Sequence, residues 1–227
     1  MIVYEQIFKK YGLSPTQQEI LKIVGKEKTV LEIGSSTGYM SRAFLEQDCA
    51  VDVVESDQKA VAKLPKGVKT VFNTSIEDRG FYNKLGRYDF IVMADVLEHL
   101  VDPEKVLRQL SKKASAGTKL LVSLPNIASW TMRKQLFFKG DFQYQESGFL
   151  DKTHLHFYTI NTLPKLLSEN GWKVEKVIGT MTRLPLEGLI SKIPILWWIF
   201  KKVLYQELVD KYKNLAYYHF LVVASKE

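Results

Sequence analysis

The sequence contains a single cysteine, Cys49, among 227 residues. One cysteine excludes an intrachain disulfide and any metal site built from several cysteines. Because disulfides persist in oxidising compartments, their exclusion favours a reducing compartment. We therefore expect the protein to be cytoplasmic.

Long hydrophobic runs are missing too. The longest apolar run, residues 195–200, is far shorter than the ~20 residues that a membrane-spanning helix needs. The N-terminus lacks the charged and then apolar pattern of a secretory signal. No repeated or low-complexity segment is present, and 46% hydrophobic residues exclude a wholly disordered chain. These absences favour one globular domain, since single domains run to roughly 250 residues.

Acidic residues are absent from one long stretch. The chain has a formal net charge of +7, and residues 105–139 include eight basic and no acidic side chains. Such a stretch is typical of a solvated basic face. The more specific interpretation is a surface that binds an anionic substrate or the headgroups of a membrane.

The sequence does contain a strand, a turn of small residues and a helix in succession. Residues 29–33 predict a buried strand, residues 34–38 a tight turn, and residues 39–46 a helix. A turn between a strand's carboxyl end and a helix's amino end directs backbone N–H groups toward a bound molecule. Gly34 and Gly38 lack a Cβ and permit close approach. The turn therefore predicts a ligand-binding site.

Three kinds of protein use such a turn. A dinucleotide fingerprint needs glycine where this chain has Ser36 and Tyr39. A hydrolase elbow would use Ser36 as the nucleophile, but no oxyanion loop is found among the 33 residues before Gly34. The segment from Glu32 to Gly38 resembles the first motif of class I S-adenosylmethionine-dependent methyltransferases. That motif is an acidic residue, any residue and a glycine-rich turn, and Ser36 replaces its middle glycine.

Two further segments resemble the same family. The run DVLEHL at residues 95–100 is similar to the fourth motif of small-molecule methyltransferases. The run GFLDKTHLHFYT at residues 148–159 is similar to a pattern in a branch related to the methionine-biosynthesis and ubiquinone-type enzymes, with His156 where that branch commonly has arginine. The resemblance implies S-adenosylmethionine as the cofactor and methyl transfer as the activity.

Candidate cofactor-binding residues fall at successive strand ends. Glu55 follows the second predicted strand, 21 residues beyond Gly34, where a carboxylate can accept hydrogen bonds from both ribose hydroxyls. Ser75 and Ile76 stand where the family contacts adenine. The resemblance implies a cofactor site that contains Glu32, Gly34, Ser35, Gly38, Glu55, Ser75, Ile76 and Asp95.

Five predicted strands alternate with helices, which implies parallel pairing, right-handed crossovers and helices on both faces of the sheet. These strands are residues 29–33, 50–54, 68–72, 88–94 and 119–124. The resemblance adds strands at 172–178 and 218–224, the last one antiparallel. We therefore expect a single α/β methyltransferase domain over residues 1–227, with a Rossmann-like seven-stranded, mostly parallel sheet and an N-terminal helical cap at 1–27.

Residues 183–216 lie between the last two predicted strands and match no motif. Their centre, residues 190–204, is rich in isoleucine, leucine and tryptophan, with lysines at its ends. A core helix or a lid over the substrate is one interpretation of this helical insertion. A helix that lies in the plane of a membrane is the other, and it would place the protein at the inner membrane surface.

The catalytic candidates are histidines. A general base assists methyl transfer to a hydroxyl, and histidine suits that task near neutral pH. His154 is the predicted base, with Asp151 near enough in sequence to orient it; alternatively, Asp151, Thr153 and His154 only pin their loop. His219, inside a buried strand, is expected to be structural. His154 and His156 could share a strand face, but no third ligand is spaced near them, so no metal site is expected.

The expected function is methyl transfer, at oxygen, to a small or lipid-linked acceptor. The acceptor would lie between residues 151–158 and 183–216, because both segments are aromatic. Arg133, Lys134 and Lys139 favour an anionic acceptor such as a lipid-linked sugar or a polyprenyl-type precursor. Peripheral membrane contact is left open, and a nucleic-acid partner is not favoured. The alternatives are an RNA methyltransferase, because of the basic stretch, and a protein that binds S-adenosylmethionine without catalysis.

Overall fold

The computed structural model describes residues 12–78, 80–182, 184–185 and 187–226, apart from the side chain of Leu189. Seven strands form one sheet in the order β3-β2-β1-β4-β5-β7-β6. The strands are β1 (Thr29–Ile33), β2 (Ala50–Val54), β3 (Thr70–Phe72), β4 (Phe90–Ala94), β5 (Lys119–Pro125), β6 (Trp172–Thr182) and β7 (Tyr217–Lys226).

Strands β1 to β5 pair in parallel, whereas β7 is antiparallel to both β5 and β6. The predicted Rossmann-like methyltransferase sheet is confirmed. Strands β1 to β6 therefore all end at one edge of the sheet, where β7 begins; we call it the carboxyl edge. Strand order reverses between β1 and β4, and a ligand crevice opens at such a point.

Apolar residues fill the central strands because both faces of the sheet are covered. On one face, Leu31 and Ile91 belong to a core that also contains the fully buried Trp172. On the other face, Val30 and Val92 belong to a second core. This burial on both faces holds the ends of β1 and β4 in fixed positions beneath the crevice.

The helices occupy both faces and the loops at the carboxyl edge. They are α1 (Pro15–Val24), α2 (Tyr39–Leu45), α3 (Gln58–Val61), α4 (Pro103–Lys113), α5 (Trp130–Lys139), α6 (Thr162–Glu169), α7 (Glu187–Ile190), α8 (Pro194–Phe200), α9 (Gln206–Lys211) and α10 (Lys213–Ala216). Short 3₁₀ turns cover Tyr82–Lys84 and Leu97–His99, and a π-helical turn, Lys201–Tyr205, joins α8 to α9.

Helix α4 begins at Pro103, because Asp102 caps it by accepting a hydrogen bond from the Lys105 amide at 2.9 Å. Several strand boundaries differ from the sequence prediction. Strand β3 begins at Thr70 instead of Val68 because its pairing with β2 begins where Thr70 lies opposite Asp52. Strand β6 continues to Thr182 because the long β7 pairs with it over its full length.

The predicted insertion, residues 183–216, contains helices α7 to α10. Of its boundary residues, Arg183 lies outside the described residues. The first eleven residues of the predicted N-terminal cap lie outside them as well, and the described part of that cap contains α1. Within the described part of the chain, no helix is both long enough and apolar enough to cross a membrane.

Candidate active site

The glycine-rich turn between β1 and α2 adopts a left-handed backbone at three positions. The φ angles are 72° at Gly34, 51° at Ser36 and 75° at Gly38. Glycine adopts such angles without strain, whereas serine does so at a cost. Ser36 thus follows the path that the middle glycine of the family motif would take, and the turn is preserved despite the substitution.

Gly34 and Gly38 are also required by space. A Cβ atom on Gly34 would lie 2.5 Å from Cγ2 of Val96, and one on Gly38 would lie 2.5 Å from Cδ of Pro65. Both distances are shorter than real Cβ contacts. The turn is therefore packed tightly between the loop that follows β4 and the loop that follows α3.

The Glu55 carboxylate joins this turn to the end of β2. Its Oε2 accepts a hydrogen bond from the Ser36 amide at 2.8 Å, and its Oε1 accepts one from the Asp57 amide at 2.9 Å. Each carboxylate oxygen has a further lone pair. Glu55 can thus hold the turn and still accept hydrogen bonds from a ligand.

Glu32 lies beneath the turn and is buried. It accepts a hydrogen bond from the Ser41 hydroxyl. Burial raises the pKa of Glu32 to about 8, and the negative charge of Glu55 adds to the rise. The Glu32 carboxyl group is therefore mostly protonated at pH 7 and supports the turn without adding a full charge.

A cavity of about 350 Å³ lies at the ends of β1 to β4, and we call it the β2–β3 cavity. Five of the eight predicted cofactor-binding residues line it: Gly34, Glu55, Ser75, Ile76 and Asp95. The other three, Glu32, Ser35 and Gly38, line neither this cavity nor the next one among the described residues. The structure thus separates cavity-lining residues from residues that support the turn.

A second cavity of about 310 Å³, the β5–β7 cavity, shares Gly34, Asp95 and His99 with the first. Its remaining lining is Gln17, Ser36, Tyr39, Ala94, Glu98, Pro125, Gly148, Phe149, His154, Tyr218 and His219. Because the two cavities meet at the crevice between β1 and β4, one ligand can extend from the first into the second.

The β2–β3 cavity fits the adenosine part of S-adenosylmethionine. Ile76, Val96 and Leu100 supply apolar surface for an adenine ring, and the Glu55 carboxylate is an acceptor for ribose hydroxyls. A buried nucleoside needs both kinds of contact. The reactive end of the cofactor would then lie near Gly34 and Asp95, where the β5–β7 cavity begins.

Asp95 is bound to His219 across this junction. Nε2 of His219 donates to Oδ1 of Asp95 at 2.7 Å, and Nδ1 accepts from the Thr16 hydroxyl at 3.1 Å. His219 therefore does have a structural contact, as expected, but it also lines the β5–β7 cavity. Sequence reasoning missed that position. The available signal was the place of His219 near the start of an antiparallel strand, which lies at the carboxyl edge.

Glu98 and His154 form a buried pair on the wall of the β5–β7 cavity. Oε1 of Glu98 lies 3.9 Å from Nε2 of His154, and both side chains are at most 4% exposed. Neither carboxylate oxygen of Glu98 has a hydrogen-bond partner among the described residues. Burial raises the pKa of Glu98 well above its usual range, and the Asp95 charge adds to this. Burial likewise lowers the pKa of His154.

Backbone carbonyls fix the tautomers of the two neighbouring histidines. Nδ1 of His154 lies 3.0 Å from the Phe149 carbonyl oxygen, and Nδ1 of His99 lies 3.2 Å from the Thr153 carbonyl oxygen. A carbonyl oxygen only accepts, so each Nδ1 must carry the hydrogen. Nε2 of each neutral ring therefore keeps its lone pair, and that of His154 faces Glu98.

Asp151 closes the turn that precedes His154. Its Oδ1 accepts hydrogen bonds from the Thr153 amide at 2.9 Å and the Thr153 hydroxyl at 2.7 Å, and its carbonyl oxygen accepts from the His154 amide at 3.0 Å. These contacts are those of a residue that shapes the loop. The group that faces the free ring nitrogen of His154 is Glu98, which the sequence did not suggest.

The expectation that no third metal ligand lies near His154 is wrong. Ligand atoms of Glu98, His99 and His154 lie within 4.8 Å of one another. His156 is not in this set, because residues 152–157 form a loop instead of a strand with alternating faces. Two ligands of one zinc ion, each about 2.1 Å from it, are at most about 4.2 Å apart. The group would therefore have to contract around an ion.

The walls of the β5–β7 cavity differ from the predicted acceptor site. His154 of the predicted loop lines it together with Phe149, which precedes that loop, but none of the described residues between 184 and 216 does. Tyr218, at the start of β7, packs against Phe149 with ring centroids 4.4 Å apart and closes that side. Two rings from β7 and the loop thus replace the expected contribution of the insertion.

The sheet order, the glycine-rich turn and the two cavities are together those of the Rossmann-like methyltransferase fold. The chain belongs to the methyltransferase domain family, whose model matches residues 5–177. The predicted family and cofactor are thereby confirmed, and the cofactor is S-adenosylmethionine.

Known proteins of similar fold include a SAM-dependent methyltransferase from Archaeoglobus fulgidus, at 16% identity and a TM-score of 0.65, covering 98% of this chain and 99% of that one. A second, from Thermotoga maritima, has 16% identity and a TM-score of 0.63, with 99% and 94% covered. At these identities the likeness concerns the fold.

Several relatives match by sequence. An uncharacterized methyltransferase from Bacillus pumilus is 36% identical over 103 residues, which are 45% of this chain and 46% of that protein. A ubiquinone biosynthesis O-methyltransferase from Pseudomonas paraeruginosa is 24% identical over 104 residues, 44% of this chain and 45% of that protein. The chain thus spans about half the length of these curated relatives.

Proposed function

We propose that this methyltransferase acts on an oxygen atom of a small or lipid-linked acceptor bound in the β5–β7 cavity. The observation that carries the proposal is the buried pair of Glu98 and His154 on the wall of that cavity. A hydroxyl group loses a proton when its oxygen is methylated, and in this proposal the pair receives it. The similarity to an O-methyltransferase from Pseudomonas paraeruginosa supports the choice of oxygen.

When bound, S-adenosylmethionine supplies an electrophilic methyl carbon for the acceptor oxygen to attack. The protein's task is to hold the two reactants in line and to exclude water, and such positioning can supply much of the lowering of the barrier. Gly34 and Asp95 mark the junction of the cavities. Phe149 and Tyr218 provide apolar surface for the body of the acceptor on the other side.

His154 takes the proton at Nε2. Its Nδ1 is committed to the Phe149 carbonyl oxygen, so the ring presents one lone pair in a fixed direction. Protonation of His154 creates a positive charge 3.9 Å from the Glu98 carboxylate. A buried pair is most stable when its net charge is zero, so the pair accepts this proton only where Glu98 is ionised, and burial of Glu98 raises its pKa and shifts that condition to higher pH.

The test uses purified protein, labelled S-adenosylmethionine and a cell extract that contains membrane lipids. We expect label in a small or lipid-linked product that carries an O-methyl group. His154→Ala should lower the initial rate roughly 100-fold or more, since general-base catalysis is typically worth 10²–10⁴. Affinity for S-adenosylhomocysteine, measured by calorimetry, should stay within about twofold.

His156→Ala is the matched control, because His156 lies in the same loop but does not line the β5–β7 cavity. It should keep most of the activity. Full activity of His154→Ala would remove the proposed base. Label in RNA, or on a nitrogen or carbon atom of the product, would refute the assigned acceptor.

A further inference from the structure

We propose that helix α8 and the end of helix α5 dock the carboxyl edge of the sheet onto an anionic lipid bilayer. We call these two segments the α8 patch (Pro194–Phe200 and the following turn Lys201–Tyr205) and the α5 patch (residues 136–139). The inference rests on the proposed function in one respect: if the protein binds a bilayer, its acceptor is lipid-linked and not free in solution.

The α8 patch exposes apolar side chains where a soluble helix would carry polar ones. Ile195 is 73% exposed, Trp198 is 62% exposed and Val203 is 63% exposed. The inward face is already apolar, since the rings of Trp197, Phe200 and Tyr205 pack against one another with centroids 5.8–6.2 Å apart. A helix that is hydrophobic on both faces is normally covered on both faces. The outward face therefore needs a partner.

The inward contacts hold the patch in place. Phe200 and Tyr205 pack against the main core, and the Tyr205 hydroxyl is 2.8 Å from the Thr182 hydroxyl at the end of β6. At the other end of the insertion, the Asn126 side-chain amide donates to the Asn214 carbonyl oxygen at 3.0 Å. The exposed face is thus presented by an anchored element.

The charges around the patch identify a lipid surface as the occupant. Residues 188–206 include Lys192, Lys201 and Lys202 and no acidic residue, and all three lysines are exposed. The ammonium groups of Lys201 and Lys202 lie 5.0 and 4.9 Å from the ring centroids of Trp197 and Trp198. Tryptophan with flanking lysine is typical of helices at anionic membrane surfaces. Lysine is depleted in protein–protein interfaces, which disfavours a second copy of the chain.

The α5 patch has the same composition. Phe137 is 81% exposed and Phe138 is 68% exposed, and the exposed Arg133, Lys134 and Lys139 accompany them. A surface patch with exposed apolar rings and charge of one sign is typical of an interaction site.

Both patches belong to connections that leave the sheet at its carboxyl edge. Helix α5 follows β5, and α8 follows β6. Because β5 and β6 are both antiparallel to β7, they end at the same edge. The β5–β7 cavity opens at that edge too, through Pro125 and Tyr218. A bilayer against both patches would therefore face the cavity in which we place the acceptor.

The test is co-sedimentation with vesicles of phosphatidylcholine containing phosphatidylglycerol at about 30%, without cofactor or acceptor. The wild-type protein should bind these vesicles at least tenfold more tightly than pure phosphatidylcholine, because each lysine near an anionic surface contributes roughly a fivefold gain. Ile195→Glu with Trp198→Glu should lose at least tenfold in binding. Lys201→Glu with Lys202→Glu should lose a similar factor on anionic vesicles only.

Val101→Glu is the control, since Val101 is also 73% exposed but lies outside both patches. It should bind vesicles like the wild type. The proposal is overturned if the wild-type protein does not sediment with anionic vesicles, or if the Ile195→Glu, Trp198→Glu variant binds them unchanged. It is also overturned if the protein is a dimer that this variant dissociates. Vesicle binding does not depend on turnover, so it can fail or succeed separately from the proposed acceptor chemistry.

Discussion

The two halves of the site are built in different ways. The cofactor half includes hydrogen bonds over shorter separations, such as those of Glu55 with the amides of Ser36 and Asp57, which are 19 and two residues away. The acceptor half depends on contacts over long separations, such as Glu98 with His154 and Asp95 with His219. The cofactor half is mainly backbone held by glycine and one carboxylate, whereas the acceptor half is a set of ionisable side chains, of which Glu98 and His154 are buried. Substitutions should therefore affect the halves differently.

The largest effect is expected from Gly34→Val, which would break the cofactor half. A valine there must adopt a φ of 72° and place its Cβ 2.5 Å from Val96. We expect affinity for S-adenosylhomocysteine to fall more than 100-fold in calorimetry, with a loss of stability of at least about 2 kcal/mol. Gly117→Val separates the two causes, because Gly117 has a φ of 89° but no atom within 4 Å of the added Cβ. The Gly117→Val variant should lose stability through backbone strain but should keep its affinity for S-adenosylhomocysteine. An equal loss of affinity in both variants would contradict the packing argument.

An intermediate effect is expected from Glu32→Gln, which tests the charge beneath the turn. The pKa of Glu32 is about 8 in the folded protein and near 4.5 when unfolded. Between these values the folded state holds a proton that the unfolded state has lost, so the free energy of unfolding falls as pH rises from 4.5 to about 8. Glutamine does not titrate, so the Glu32→Gln variant lacks this decrease in the free energy of unfolding. The Tm of Glu32→Gln relative to the wild type should therefore rise by several degrees between pH 5 and pH 9, since 1 kcal/mol is about 2–4 °C in such a chain.

Glu46→Gln is the control for that comparison, because Glu46 is exposed at the end of α2. Its Tm difference from the wild type should be the same at both pH values. A pH-independent difference for Glu32→Gln as well would show that the Glu32 carboxyl is not buried as described.

The smallest effect is expected from Ser36→Gly, which tests whether the turn belongs to a cofactor site or to a hydrolase. Glycine relieves the strain of a φ of 51° but costs conformational entropy, so stability should change by no more than about 1 kcal/mol. Methyl transfer and S-adenosylhomocysteine binding should both persist. A fluorophosphonate probe should leave Ser36 unlabelled in the wild type; labelling there, with loss of activity in the glycine variant, would revive the hydrolase interpretation.

The difference between the halves also explains what the sequence could predict. Buried parallel strands read as apolar runs, and a strand–turn–helix motif keeps its spacing, so the sheet and the cofactor family were predictable. The predicted cofactor residues Glu55 and Ser75 come together because each follows a strand of that sheet.

The acceptor half could not be read in the same way. Glu98 lies in a 3₁₀ turn, and its carboxylate gains significance only from its burial against a loop 56 residues later in the chain. His219 meets Asp95 only after β7 is inserted between β5 and β6. No local pattern encodes either pairing. The sequence showed that α8 is rich in apolar residues. It did not show which of them are exposed, because that depends on which rings pack inward.

The pH dependence of methyl transfer tests the pair of Glu98 and His154 most directly. In the wild type, burial raises the pKa of Glu98, so the pair gives up its proton only at a pH well above the usual range of a carboxyl. In Glu98→Gln the remaining base is His154, whose pKa burial lowers below 6.5. The fall of kcat/KM on the acid side of the pH profile, its acid limb, should therefore move to lower pH in Glu98→Gln. The His154→Ala variant should lack this acid limb and should lose most of the rate. An acid limb at the same pH in the wild type and Glu98→Gln, with unchanged rates, would contradict the account.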